Sequence, residues 1–250
     1  MKFAASRLAV AAAVCTGTIL ASPATAQELP GGTINLLTQG QAMTWEAGMD
    51  GQFDWTDEGY SFNGSESGSG WVLQWDMLAS GASAESIVTS FTVMNTSTTT
   101  ETFFIQVTDL IYGDYGDGSL VGGSIAGSFT DLNGNGVAVS SIDGGSIYSG
   151  FVDGSDSGET VVGTLLEGST GTASSFFSGT FEGESFGDFP QIPGGTGPAI
   201  ETNFGIILAF ELSAGDTAAF TASMAIATPT PGVLALFSVA GMNRRRRRTS

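Results

Sequence analysis

Apolar and polar residues alternate along two stretches near the C-terminal end of the chain. The apolar positions are Phe204, Ile206, Leu208, Phe210 and Leu212 in the first stretch, and Ala218, Phe220, Ala222, Met224 and Ile226 in the second. Alternation with a period of two over ten residues indicates a β-strand with one buried face. The link 213–216 is short and turn-prone, so the two strands are predicted to pair as an antiparallel hairpin.

A second hairpin is predicted from residues 87–93 and 103–107, with the polar loop 95–100 between them. Weaker strands are predicted between glycine-rich breaks, at 71–78, 119–130, 137–142, 146–152, 160–166 and 174–181. No stretch between the two ends of the chain has the pattern of an amphipathic helix. Short strands with frequent turns predict an all-β fold, an antiparallel β-sandwich of roughly 10 to 14 strands. A jelly-roll-like and an immunoglobulin-like topology both remain open.

The N-terminal residues 1–26 have the three parts of a secretory signal peptide. Lys2 and Arg7 are positively charged, residues 8–20 are apolar, and Ala24 and Ala26 form a small-x-small cleavage site that leaves Gln27 as the new N-terminus. The expected partners are therefore the export machinery and signal peptidase. A short membrane anchor is the alternative.

The C-terminal residues 228–250 combine a helix breaker, an apolar run and a cationic block. The breaker is Pro229, Thr230, Pro231 and Gly232, the apolar run is 233–242, and the block is Arg244, Arg245, Arg246, Arg247 and Arg248. A short apolar helix followed by arginines can enter a bilayer while its charges stay on the cytoplasmic side. The run has ten residues, against about 20 for a stable transmembrane helix, which favours a transient tether. A helix that caps a domain and a nucleic-acid patch are the alternatives.

This tail resembles the PEP-CTERM sorting signal of exported proteins that are handled by exosortases in Gram-negative-type bacteria. The resemblance covers about the last 23 residues and rests on the order of the three parts. Thr230 stands where the family has a glutamate between the prolines. The resemblance implies export, a transient inner-membrane tether, processing by an exosortase, and delivery to the cell surface or to an extracellular matrix that contains exopolysaccharide.

The body between the two ends, residues 27–227, contains no lysine, arginine, histidine or cysteine. All seven basic residues lie at the ends of the chain, and all 25 Asp and Glu lie in the body. No side-chain salt bridge can therefore form within the body. Its carboxylates must be solvated, hydrogen-bonded or neutralised by a bound cation.

This composition excludes several functions of the body. Nucleic-acid binding is not expected, because it depends on cationic contacts to phosphate. Ser-His-Asp and Cys-His catalysis, zinc sites with His or Cys ligands, and disulfides are impossible without those residues. Carboxylate pairs such as Asp57 with Glu58, or Glu182 with Glu184, could support acid–base glycoside chemistry, but no sequence feature selects one of them. We therefore do not expect an enzyme.

Two groups of residues are candidates for ligand sites. Asp131, Asn133 and Asn135 place oxygen atoms at alternate positions, as in the first half of a calcium loop, so Ca²⁺ is a possible cofactor. The twelfth position is Ile142 rather than glutamate, and a plain hairpin turn is the alternative. Trp71 and Trp75 would share one face of a strand and could stack on sugar rings if exposed, with core packing as the alternative.

Two functional hypotheses follow. The first is a structural or interaction protein of the cell surface or extracellular matrix, with exopolysaccharide as a candidate partner. The second is a carbohydrate-binding or glycan-active protein on the same β scaffold. Exposed tryptophans beside carboxylates would favour the second hypothesis, and buried tryptophans would remove its strongest support.

Overall fold

The computed structural model describes residues 30–81, 84–113, 115–116, 118–155, 158–188 and 194–228. These residues form sixteen strands and one short 3-10 helix, Ile142–Gly144. The strands are β1 (Thr33–Thr38), β2 (Gln41–Glu46), β3 (Gln52–Trp55), β4 (Gly59–Gly68), β5 (Trp71–Ser80), β6 (Glu85–Asn95), β7 (Glu101–Leu110), β8 (Leu120–Thr130), β9 (Val137–Ser141), β10 (Ser146–Ser155), β11 (Gly158–Glu167), β12 (Thr170–Ala173), β13 (Ser178–Phe186), β14 (Gly195–Thr196), β15 (Asn203–Leu212) and β16 (Thr217–Ala227).

The strands form two eight-stranded antiparallel sheets. Sheet I has the order β11-β10-β15-β7-β1-β2, with β9 also paired to β15 and β12 paired to β9. Sheet II has the order β13-β8-β16-β6-β5-β4-β3, with β14 paired to β8. The prediction of an all-β, antiparallel fold is therefore confirmed, and the two sheets are consistent with a β-sandwich.

The hydrophobic core lies between the two sheets. Phe210 of sheet I and Phe220 of sheet II have ring centroids 4.9 Å apart, and Phe103 stacks on Phe210 at 5.6 Å. The alternating apolar positions of β7, β15 and β16 all point into this core. Because the body has no ion pairs, burial of such side chains, worth about 1.5–3 kcal/mol each, and the sheet hydrogen bonds must stabilise the fold.

Both predicted hairpins are wrong in their pairing, although their strands exist. β15 pairs with β7 and β10 in sheet I, whereas β16 pairs with β6 and β8 in sheet II. Likewise, β6 belongs to sheet II and β7 to sheet I. The short links therefore carry the chain from one sheet to the other, and the buried faces meet across the core. Alternation identifies the buried face of a strand but not the sheet to which it belongs.

Two other predictions need correction. The predicted strand 174–181 spans a break, because β12 ends at Ala173 and β13 begins at Ser178. The strand count exceeds the expected range because β1–β4 lie in a part of the chain for which no strand was predicted, and because β14 has only two residues.

Candidate ligand-binding pocket

A pocket opens at the end of the two sheets where β6 begins and β7 ends. Its volume is about 420 Å³. Both sheets contribute to it, and its walls are Trp55, Asp57, Glu58, Gly59, Tyr60, Ala79, Ser80, Gly81, Glu85, Asp109 and Tyr112. Small-molecule sites in proteins are typically concave, mostly apolar and provided with a few polar groups, and this pocket has that character.

The strand register places two carboxylates in the base of the pocket. Glu85 has the same parity as Ile87 and Phe91 of β6, so it points to the buried side of sheet II. Asp109 has the same parity as Ile105 and Val107 of β7 and points to the buried side of sheet I. Glu85 is only 6% exposed and Asp109 only 5% exposed. Carboxylates are rarely buried to this extent without a cationic partner.

Asp109 is held by a hydrogen bond that joins the two sheets. The Tyr60 hydroxyl of β4 donates to Oδ1 of Asp109 at 2.9 Å, and the Leu110 N–H donates to the same oxygen at 3.0 Å. Burial raises the pKa of Asp109 to about 7 against these two bonds, and the nearby charge of Glu85 adds to the rise. This carboxyl therefore gains or loses its proton near neutral pH.

The two oxygens of Glu85 differ in their hydrogen bonds. Its Oε1 accepts hydrogen bonds from the backbone N–H groups of Tyr112 and Gly113, both at 2.8 Å. Oε2 is buried and has no hydrogen-bond partner among the described residues. Tyr115 lies close to Glu85, and the pKa of its phenol is raised by burial, by the charge of Glu85 and by a hydrogen-bonding contact with the Glu85 side chain. A buried charged oxygen without a donor is costly, because its lost hydration is not replaced.

Aromatic rings form the outer wall of the pocket. Trp55 is 45% exposed and packs edge-on against Phe53 and Tyr60, with ring centroids 5.1 Å and 6.0 Å away. Tyr112 is 59% exposed. The contacts of Trp55 with two neighbouring rings fix its orientation while part of its surface remains open to solvent.

Gly32 leaves space for the Tyr60 hydroxyl. A Cβ atom on Gly32 would lie 2.1 Å from that oxygen, so no side chain fits between them. The absence of a side chain here lets the phenol reach Asp109 across the two sheets.

Trp71 and Trp75, the residues predicted to stack on sugars, are buried. They are 2% and 4% exposed, and both contact Trp45, with ring centroids 6.4 Å and 5.0 Å away. Their shared strand face is the core face of β5, which leaves no ring surface for a sugar. The stacking hypothesis at these two residues is therefore wrong, and the alternative of core packing describes them.

The predicted calcium loop folds around the carboxylate of Asp131. Oδ1 accepts hydrogen bonds from the N–H groups of Asn133 and Gly134, and Oδ2 accepts them from Gly136 and Phe176. Burial raises the pKa of Asp131, but these four bonds outweigh it and hold the pKa below its ordinary value. Oδ1 of Asn133 accepts from the Asn135 N–H. The geometry favours the turn over a calcium site, and the turn joins β8 of sheet II to β9 of sheet I.

Asp216 lies beside the same loop. It accepts hydrogen bonds from the Leu132 N–H and the Ser213 hydroxyl. Burial raises its pKa, and the neighbouring Asp131 raises it further. Within the described residues, no group of three or more Asp, Glu, His or Cys side chains is placed to hold a metal ion. Calcium binding at Asp131, Asn133 and Asn135 stays a prediction.

The structure separates the carboxylate pairs that the sequence could not rank. Asp57 and Glu58 line the pocket, whereas Glu184 accepts a hydrogen bond from the Leu166 N–H on the side of the molecule where β13 lies. Sequence reasoning missed Glu85, Asp109 and Tyr60. The available clue was a carboxylate in the apolar register of a strand, which occurs at Glu85 and again at Asp109.

The predicted targeting residues lie outside the described residues. They are Ala24, Ala26 and Gln27 at one end, and Pro229, Thr230, Pro231, Gly232 and the arginines 244–248 at the other. Among the residues that the structure describes, no helix is long and apolar enough to cross a membrane. No model of a protein family matches the chain, and no curated protein matches it either.

Proposed function

We propose that the chain is an exported structural or interaction protein of the cell surface or extracellular matrix of a Gram-negative-type bacterium. An exosortase would recognise and process its C-terminal tail after a transient tether to the inner membrane. The observation that carries this proposal is the separation of charge, with every basic residue at the two ends and every acidic residue in the body. This distribution supplies a signal peptide and a stop for translocation, and it leaves a body without cations.

The body fits this role in two respects. Its last strand, β16, ends at Ala227, directly before the predicted tail. Its stability depends on a packed core and on sheet hydrogen bonds rather than on ion pairs or disulfides, so it does not need an oxidising compartment to hold together. A high negative charge also keeps a protein soluble and repels other anionic surfaces.

The test is the intact mass of the protein recovered from a host that carries an exosortase. We expect an N-terminus at Gln27 and a C-terminus that lacks the five arginines. In the same host without its exosortase, the arginines should remain and the protein should stay with the inner membrane. A Pro229→Ala, Pro231→Ala double variant should behave like the strain without the enzyme. Recovery of the complete tail from the wild-type host would contradict the sorting proposal.

A carbohydrate-binding or glycan-active protein is the second candidate. It no longer rests on Trp71 and Trp75, and the observation that favours it is the pocket with the exposed rings of Trp55 and Tyr112 beside buried carboxylates. Saturable binding of neutral oligosaccharides that is lost in Trp55→Ala would support this candidate. We propose a binding rather than an enzymatic role, and release of reducing sugar from host exopolysaccharide would contradict that choice.

A further inference from the structure

We propose that the pocket at Glu85 and Asp109 binds the primary ammonium group of a small organic ligand. The ammonium would sit against the two buried carboxylates, and its organic body would contact the rings of Trp55 and Tyr112. This inference goes beyond the sorting proposal and does not depend on it, since it is argued from the pocket alone.

The first argument is charge. Four carboxylates line the pocket, from Asp57, Glu58, Glu85 and Asp109. The body contains no lysine, arginine or histidine that could pair with them. Burial and the nearby charge of Glu85 both disfavour the ionised form of Asp109, so a cation that enters the pocket would relieve both effects.

The second argument is the hydrogen-bonding state of the buried oxygens. Oε2 of Glu85 has no partner among the described residues, and Asp109 receives both of its described hydrogen bonds on Oδ1. Two carboxylate oxygens of the pocket, one on each residue, therefore accept no described hydrogen bond. An ammonium group has three N–H donors and no acceptor, which is the complement of such a pair. Charge-assisted hydrogen bonds of this kind are stronger than neutral ones.

The third argument is the aromatic wall. The face of a tryptophan or tyrosine ring attracts a cation within about 6 Å of its centroid. Trp55 is held by Phe53 and Tyr60 and is still nearly half exposed, so it is pre-oriented for such a contact. The faces of these rings supply no oxygen ligands, whereas Ca²⁺ requires about six to eight oxygens, so the wall favours an organic cation over a metal ion.

The chemistry fits two sources of ammonium, an amino sugar and an aliphatic amine, and matched probes distinguish them. Glucosamine and glucose differ at one position by an amine and a hydroxyl, and cadaverine and pentane-1,5-diol differ in the same way at both ends. Calorimetric titration of the exported protein should show saturable binding of glucosamine, of cadaverine, or of both. Each neutral counterpart should bind at least about tenfold more weakly than its amine.

Variants connect that binding to the pocket. Glu85→Gln keeps an oxygen for the Tyr112 and Gly113 N–H groups and removes the charge, so it should fold and lose about tenfold or more in affinity. Trp55→Ala, at a partly exposed position, should weaken amine binding several-fold through the lost cation–π contact. Glu182→Gln removes an exposed carboxylate of β13 and is the control, which should bind like the wild type.

Three outcomes would overturn the proposal. Equal affinities for an amine and its neutral counterpart would indicate a neutral sugar site and favour the glycan candidate. An equal loss of amine affinity in Glu182→Gln and Glu85→Gln would show that the acidic surface attracts the amine in general, without a specific site in the pocket. The absence of saturable binding by either amine would remove the ammonium site, whereas the sorting proposal would be unaffected, because its test measures only the ends of the chain.

Discussion

The buried polar side chains at the two ends of strand β6 differ in how completely they are hydrogen-bonded. At the Asn95 end, the Asn95 amide lies within hydrogen-bonding distance of the carbonyls of Thr99, Leu212 and Ser213, at 2.8 to 3.1 Å, and its Oδ1 accepts from the Ser97 N–H. At the Glu85 end, about 33 Å away by strand rise, one carboxylate oxygen has no donor among the described residues. The same strand thus connects a side chain whose amide is fully hydrogen-bonded, Asn95, to one with an oxygen unpaired within the described part of the chain, Glu85.

The difference separates a structural role from a binding role. At the Asn95 end the backbone of Asn95 forms hydrogen bonds with Asp216 and Gly215, and Asn133 donates to the Ala214 carbonyl. These bonds join the three links β6–β7, β8–β9 and β15–β16, each of which crosses between the sheets. A completed network fixes the chain and leaves no group for a ligand. At the Glu85 end, the carboxylates lie in a pocket and one of them changes protonation near neutral pH. Such features typically accompany binding sites.

The largest expected effect is at the saturated end. Asn95→Ala removes the donor to three carbonyls in the interior, so we expect a loss of about 3 kcal/mol or more in the free energy of unfolding. Urea unfolding measures it. Asn35→Ala is the matched control, because the one hydrogen bond of its side chain among the described residues is accepted from the exposed Thr44 hydroxyl, and the change should cost less than about 1 kcal/mol. Similar losses in the two variants would contradict a special role of the Asn95 end.

The next effect is a pH dependence at the unsaturated end. The pKa of Asp109 rises from 3.8 to about 7 on folding, so the folded state binds the extra proton between these values. The contribution of Asp109 to the free energy of unfolding is therefore complete below about pH 4 and is lost as the pH rises through about 7. A difference of about 3 in pKa corresponds to a few kcal/mol.

Asp109→Asn tests this directly, because its Oδ1 can still accept from Tyr60. The free energy of unfolding of the variant minus that of the wild type should be larger at about pH 8 than at about pH 4. We expect this increase to be about 2–4 kcal/mol. Asp216, whose pKa is also raised, remains in both proteins and cancels in this comparison. A difference that does not change with pH would show that Asp109 is ionised in the folded protein throughout this range.

A smaller effect is expected at Gly32, which connects packing to the pocket. Gly32→Ala places a Cβ atom against the Tyr60 hydroxyl, so the phenol must move away from Asp109. We expect a loss of about 1–3 kcal/mol, as for other overpacked sites, together with a changed pH dependence of stability. Gly116→Ala is the control, because a Cβ atom there meets nothing within 4 Å. An unchanged pH dependence in Gly32→Ala would show that the Tyr60 contact does not influence Asp109.

The sequence predicts the strands better than their partners. Alternation located β15 and β16 within a residue or two, because a half-buried strand must repeat every second residue. It could not reveal that the links 96–100 and 213–216 cross between sheets, because the same short polar links also suit hairpins. The crossing is stabilised by Asn95, whose amide donates to Leu212 and Ser213, more than a hundred residues later in the chain. A contact of that range has no local pattern.

The pocket could have been predicted in part. Glu85 and Asp109 occupy the apolar register of β6 and β7, and a carboxylate in that register is unusual enough to be noticed. Their proximity, however, follows from the crossing between sheets, and so does the Tyr60 bond. The prediction of sugar stacking by the tryptophans failed for a related reason. Parity places Trp71 and Trp75 on one face of a strand, but whether that face is the core depends on the opposite sheet.

Calcium provides the smallest expected effect and the sharpest check on the comparison. The Asp131 carboxylate already accepts four backbone N–H groups, so we expect the melting temperature of the exported protein to be the same in calcium and in a chelator. A rise in calcium that Asp131→Asn abolishes would restore the calcium loop and show that the Asn95 end is not saturated. A rise that Glu85→Gln abolishes would instead place the ion in the pocket, where it would replace the ammonium as the cation that the two buried carboxylates bind.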